Sequence, residues 1–263
     1  MERKNLTYLR SMVSYLRFGT GERFLFALHG YGDSAMMWLS IQAELEKKFT
    51  VIALDLPFHG ATDWREPEGF HAADFEKIIL EILKIERIDR FSLAGFSFGA
   101  RIVEVLFIKF PQQIDQILLF SPDGFGTKGL SAATYLPHFW RRIAAFFLKN
   151  AAWLPRVASV FFSKKGRNSV PFRFLKSHFS TAERRARLFA FWLSFDDFAI
   201  MPSIFKAKLK EMNVPTDVYC GTIDQTVPLS IIRKNLADGS LPNVQLHVFN
   251  GGHRLSFELS VLS

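Results

Sequence analysis

The sequence predicts an α/β protein: a mostly parallel central sheet with helices on both faces, interrupted once by an inserted helical cap. Two observations point there. Short apolar runs end in turn residues and are followed by helix-length stretches, the pattern of parallel strands joined by crossover helices. That rhythm breaks near Gly124 and resumes near Pro215, across a helix-rich, aromatic and basic segment. The expected division is a core of residues 1–124 and 202–263 with a cap at 125–201.

Six strands are expected, at Phe24–Leu28, Val51–Leu54, Phe91–Ala94, Ile117–Phe120, Val218–Cys220 and Leu246–Phe249. Between them the spacing predicts helices over Ala35–Lys48, Ala72–Ile85, Gly99–Phe110 and Leu229–Ala237. In the second of these, Phe75, Ile78, Ile79, Ile82 and Leu83 recur at three and four, one apolar stripe to lay against a sheet. Met12–Phe18 adds an antiparallel edge hairpin. No internal repeat or low-complexity tract interrupts this plan.

Composition removes several function classes. The chain has 263 residues, 49% of them hydrophobic, enough to bury a sizeable core. Its single cysteine, Cys220, rules out an intrachain disulfide, and no Cys/His cluster has zinc-site spacing. The amino terminus, MERKNLTYLRSM, lacks the apolar run of roughly 7–15 residues of a secretory signal, so the cytoplasm is the expected compartment. The most apolar stretch, Ile143 to Phe162, is interrupted by Lys149, Pro155 and Arg156 and reads poorly as a membrane span. The net charge of +8 is uneven: residues 125–200 hold 13 Lys/Arg against 3 Asp/Glu, so the rest of the chain is slightly acidic.

The chemistry gathers at the ends of the expected strands. Phe91–Ala94 runs into Gly95-Phe96-Ser97-Phe98-Gly99, and a helical pattern begins at once. A serine there occupies a strained tight turn at a helix amino terminus, and its flanking residues must be glycine because side chains would strike the neighbouring helix and strand. The first central strand ends in His29-Gly30-Tyr31-Gly32, whose glycines let a backbone N–H face that serine. The amides of Tyr31 and Phe98 are the expected oxyanion donors; one side-chain donor of this kind is worth roughly 3–4 kcal/mol. Further along, Val218–Cys220 leads into Gly221-Thr222-Ile223-Asp224, and the last strand into Asn250-Gly251-Gly252-His253. Asp224 thereby sits at the carboxyl end of a strand, where ligands gather in open α/β sheets. Asp123, in Ser121-Pro122-Asp123-Gly124, also follows a strand and is the alternative acid.

With these residues in view the chain resembles the α/β-hydrolase superfamily over nearly all of its length, in the order Ser97, Asp224, His253. The resemblance implies the α/β-hydrolase fold, Ser97 as nucleophile, His253 as base and then acid, and Asp224 as the acid orienting the imidazole. It also implies that Gly124 to about Met201 form a helical lid, and that Asp55-Leu56-Pro57-Phe58-His59-Gly60 is the loop after the next strand. The expected activity is hydrolysis of a carboxylic ester-like bond of an apolar acyl or aryl substrate through an acyl-enzyme, with no metal or organic cofactor. A serine at the elbow argues against haloalkane dehalogenases and epoxide hydrolases, which place an aspartate there.

Rival readings remain. On the same triad the chain would serve as a thioesterase, a lactonase or a dienol-diketone carbon–carbon hydrolase. A non-enzymatic reading makes it an idle scaffold whose cap binds an anionic membrane or a partner protein. Arg141-Arg142, Lys164-Lys165-Gly166-Arg167 and Arg184-Arg185-Ala186-Arg187, interleaved with aromatics, suit either a lipid surface or the wet faces of lid helices whose aromatics line a pocket; the second is preferred. No nucleic-acid recognition motif is present. His29 and His59 read as turn organisers, and His71, His138, His178 and His247 as ordinary surface or core residues. Cys220 reads as inert strand packing.

Overall fold

The computed structural model describes residues 1–67, 69–125, 138–148, 150–161, 170–198, 200–237 and 239–254. The chain divides into two compact units, one of Met1–Leu130 with Asp197–Ser263 and one of Ser131–Asp196. The first contains an eight-stranded sheet: β1 (Glu2–Tyr8), β2 (Ser11–Phe18), β3 (Arg23–Leu28), β4 (Phe49–Leu54), β5 (Phe91–Phe96), β6 (Ile114–Phe120), β7 (Thr216–Gly221) and β8 (Val244–Phe249). Their order is β1-β2-β4-β3-β5-β6-β7-β8, parallel except where β2 pairs antiparallel with β1 and β4.

All six expected strands form, each extended by a few residues. Strands β4 and β5 are buried at every position, as a parallel strand covered on both faces must be. The expected antiparallel hairpin forms at the sheet edge. Met12–Phe18 forms most of β2, but the edge is β1, whose polar run hides a strand in which only Leu6 and Tyr8 are buried.

The helix expected at Ala35–Lys48 is a 3-10 stretch, Ala35–Ile41, followed by one turn of α-helix, α1 (Gln42–Leu45). Three residues per turn bring Ala35, Trp38 and Ile41 into line, and all three are buried against the sheet. Helix α2 (Ala72–Glu86) buries the five residues of its predicted stripe. Helix α3 (Phe98–Lys109) is buried from Phe98 to Phe107 because it lies directly on the central strands.

The second unit is built from α4 (His138–Leu148), α5 (Leu154–Phe161), α6 (Val170–His178) and α7 (Ala182–Ser194). Ala145, Ala151, Phe179 and Phe189 form its core. The first unit continues with α8 (Pro202–Met212) and α9 (Leu229–Leu236). It keeps Phe125, which packs on Phe205, and Phe198, which packs on Phe70, Phe75 and Phe98.

Candidate active site

The nucleophile candidate sits where β5 ends and α3 begins. Ser97 has φ +50° and ψ −117°, a backbone conformation that side chains rarely adopt. Two close approaches explain the glycines around it. A Cβ on Gly99 would lie 2.1 Å from the carbonyl oxygen of Leu28, and one on Gly95 would lie 2.7 Å from the backbone of Ala100. Helix α3 therefore comes this close to β3 at Gly99 and to the end of β5 at Gly95 only if these positions stay bare. Ser97 is half-buried at this turn.

Three chain segments converge on that hydroxyl. The loop after β7 delivers Asp224, and the loop after β8 delivers His253. The imidazole Nε2 of His253 stands 3.0 Å from Ser97 Oγ, and its Nδ1 stands 2.8 Å from Asp224 Oδ2. The ring leans on Phe96, with centroids 5.2 Å apart. Asp224 is held independently of the histidine, since its Oδ1 accepts the backbone N–H groups of Thr226 (2.8 Å) and Val227 (2.9 Å). Burial alone would raise its pKa, but the hydrogen bond from His253 and the amides of Val227 and Thr226 outweigh it, holding the carboxyl below its ordinary value. An ionised Asp224 keeps the proton on His253 Nδ1, which leaves the Nε2 lone pair for Ser97.

Asp123 is brought to a different task. Its Oδ1 accepts from Arg101 Nη2 at 3.0 Å, with both side chains buried, and its backbone N–H donates to the Ser97 carbonyl at 3.2 Å. It ties down the backbone of the turn at Ser97, while Asp224 is the carboxylate that meets His253.

The turn after β3 lies against the elbow. A Cβ on Gly30 would fall 3.1 Å from Ser97 Cβ; Tyr31 follows Gly30 and Phe98 follows Ser97 in the chain. Gly32 adopts φ +83°, the left-handed conformation that closes this turn. Two histidines brace it. The N–H of Leu56 donates to His29 Nε2 (3.0 Å), so His29 Nδ1 carries the proton and donates to the Gly30 carbonyl (2.7 Å). In the same way Gly32 N–H donates to His59 Nε2 (3.0 Å) while His59 Nδ1 donates to the Pro57 carbonyl (2.8 Å). Burial pushes the His29 pKa down, which favours this neutral form.

Sequence reasoning missed the hub of this brace. Asp55, fully buried at the end of β4, accepts the N–H of Ala35 (2.7 Å), the N–H of Ala61 (3.0 Å) and the guanidinium of Arg3 (2.6 Å). Its signal was available: a carboxylate ending an apolar strand must find donors or pay desolvation.

Other residues fall outside the site. His71 pairs with Asp197 and His247 with Asp217, partners far along the chain that the sequence pattern did not indicate. The pKa of His178 is lowered to about 4 by burial and by Arg184 and Arg187. Only the backbone of His138 is described. Burial pushes the Cys220 thiol up to about 12, which suits inert packing. Among the described residues, no group of three or more His, Cys, Asp or Glu side chains is placed to hold a metal ion, and no helix is long and apolar enough to cross a membrane.

Comparisons with known proteins bear on the family and the fold. A family model described as the alpha/beta hydrolase fold matches residues 24–260. An uncharacterized protein of Mycobacterium tuberculosis is 32% identical over 106 residues, 40% of this chain and 30% of that protein. The match thus spans about a third of the length of that relative. A pimeloyl-acyl-carrier-protein methyl ester esterase of Pseudoalteromonas atlantica is 25% identical over 132 residues, covering 50% of this chain and 49% of the esterase. A solved thioesterase domain from the curacin biosynthetic pathway superposes with a TM-score of 0.66 at 17% identity, covering 99% of this chain and 96% of that domain.

Proposed function

The chain belongs to the alpha/beta hydrolase fold family, and from that premise we propose that it is a serine hydrolase cleaving a carboxylic ester-like bond of an apolar acyl or aryl substrate. The observation that carries the reading is the continuous contact from Asp224 through His253 to Ser97, 2.8 Å and then 3.0 Å. With Nδ1–H donating to Asp224, His253 Nε2 accepts the Ser97 proton as Oγ attacks the acyl carbon. The carbonyl oxygen gains the negative charge, and the N–H groups of Tyr31 and Phe98 are the donors that receive it. Collapse expels the alkoxide, which takes the proton from His253 and leaves the acyl group on Ser97. Water then enters, gives its proton to His253 and attacks the acyl carbon. The acid departs and Oγ recovers its proton.

In this reading Ser131–Asp196 is the inserted cap that selects the substrate, and the protein works in the cytoplasm without a cofactor. The similarity to a methyl ester esterase supports an ester, and the thioesterase likeness supports the fold alone. A panel of nitrophenyl esters, thioesters, lactones and a dienol-diketone tests the choice. Turnover of esters by the wild type, absent in Ser97→Ala, is the expected result. Turnover of the dienol-diketone with esters inert would replace the ester reading with carbon–carbon hydrolysis.

A further inference from the structure

Helix α4 turns its aromatic rings outward while packing Leu148 inward. A helix on a globular protein ordinarily buries its apolar stripe and wets its polar one. Here the buried side holds Arg141, whose Nη1 donates to the Trp192 carbonyl at 3.3 Å, together with Ala145. The exposed side holds Phe139, Trp140, Phe146 and Phe147, the last two 72% and 71% exposed, with Arg142 beside them. The same character continues into the next helix, where Trp153 precedes α5 and Val160 on it is 80% exposed, again beside an exposed cation, Arg156. Sequence reasoning placed the aromatics of this segment inward and its cations outward. Phe179 and Phe189 obey that rule, whereas the α4 aromatics reverse it, as do Arg141 and Arg185, which is buried and donates to the Phe179 carbonyl. The cluster Lys164-Lys165-Gly166-Arg167 lies outside the described residues.

We propose that the exposed face of α4 and α5 docks on an anionic lipid bilayer. Two features choose that occupant. Aromatic side chains, tryptophan among them, flanked by arginines on short amphipathic helices are the composition that rests at the boundary between headgroups and acyl chains. The charge selects its sign: residues 131–196 hold 12 Lys/Arg against 2 Asp/Glu. An anionic leaflet draws such a unit in, each cation near the surface adding to the attraction. A second copy of this chain would set two strongly positive units face to face, which is repulsive. The inference is independent of the catalytic reading, because it needs neither Ser97 nor His253.

Cosedimentation of the full chain with phosphatidylcholine vesicles, with and without phosphatidylglycerol, tests it. The wild type binds the phosphatidylglycerol vesicles at least about tenfold more tightly than the neutral ones, and raised salt removes the difference. Phe146→Ser with Phe147→Ser weakens vesicle binding more than about a hundredfold, the loss of two rings from the membrane interface. Arg142→Gln with Arg156→Gln lowers the preference for the anionic vesicles by at least about threefold. All four side chains are exposed, so melting temperatures stay near the wild-type value and show that both variants fold. Equal vesicle binding by the wild type and the phenylalanine variant would overturn the proposal. So would a wild-type dimer that this variant dissolves with no vesicle binding, which would make the face a self-association surface.

Discussion

Replacing Asp224 by Asn separates the two jobs the carboxylate holds. In the folded protein Oδ1 accepts from the amides of Thr226 and Val227, and Oδ2 faces His253 Nδ1 at 2.8 Å. An asparagine whose oxygen keeps the two amides must turn its NH2 toward the imidazole. Nδ1 then has to accept, the proton moves to Nε2, and the atom 3.0 Å from Ser97 Oγ becomes a donor that cannot take the serine proton. The variant also loses a hydrogen bond to a charged group, worth about 1.5–3 kcal/mol, at the moment imidazolium forms. Together these effects lower kcat by about a thousandfold to ten-thousandfold. Steady-state kinetics on a nitrophenyl ester, with a thermal melt to show the fold persists, measure it. A fall of less than about tenfold for Asp224→Asn, with a larger fall for Asp123→Asn, would refute the assignment of the acid.

Two further outcomes follow from the surrounding structure. His59→Asn keeps a donor for the Pro57 carbonyl but loses the acceptor for Gly32 N–H, whereas His59→Gln keeps an acceptor near the Nε2 position. The Asn variant loses about a hundredfold in kcat with KM little changed, and the Gln variant recovers most of it; equal rates for the two would remove His59 from the support of the turn after β3. Glu104, fully buried on α3, has two carboxylate oxygens without a hydrogen-bond partner among the described residues, and burial raises its pKa to about 8, with Asp123 adding to the rise and Arg101 opposing it. A carboxyl raised in the folded state keeps a proton that the unfolded chain has already lost, so stability falls as pH climbs from the ordinary glutamate range through about 8. Glu104→Gln cannot titrate, and its melting temperature drops several degrees less than that of the wild type between about pH 5 and about pH 9. Parallel curves would contradict the assignment.

How far the sequence revealed this protein depends on the kind of interaction. Strands such as β4 and β5 were legible because a parallel strand buried on both faces has to be an unbroken apolar run. That Ser97, Asp224 and His253 would meet was legible because the glycines around them mark loops at strand ends, as the 2.1 Å approach at Gly99 illustrates. Strand β1 was not, since an edge strand can be polar and still pair along its whole length. The choice between Asp224 and Asp123 stayed open because both follow strands; it turns on Arg101, which claims Asp123 across a sequence distance that no local pattern reports. Asp55 escaped for the same reason, its donors coming from Arg3, Ala35 and Ala61. The reversal of α4 is invisible in its spacing, because an amphipathic pattern fixes which residues share a face and leaves open which face turns inward.

The central claim rests on Ser97 being a hydroxyl made reactive by the imidazole beside it. Treatment with a fluorophosphonate followed by peptide mass spectrometry measures this directly. The expected result is one adduct on Ser97, absent in Ser97→Ala and formed orders of magnitude more slowly in His253→Ala. An unmodified Ser97 peptide in the wild type, or labelling that is undiminished in Ser97→Ala, would contradict it.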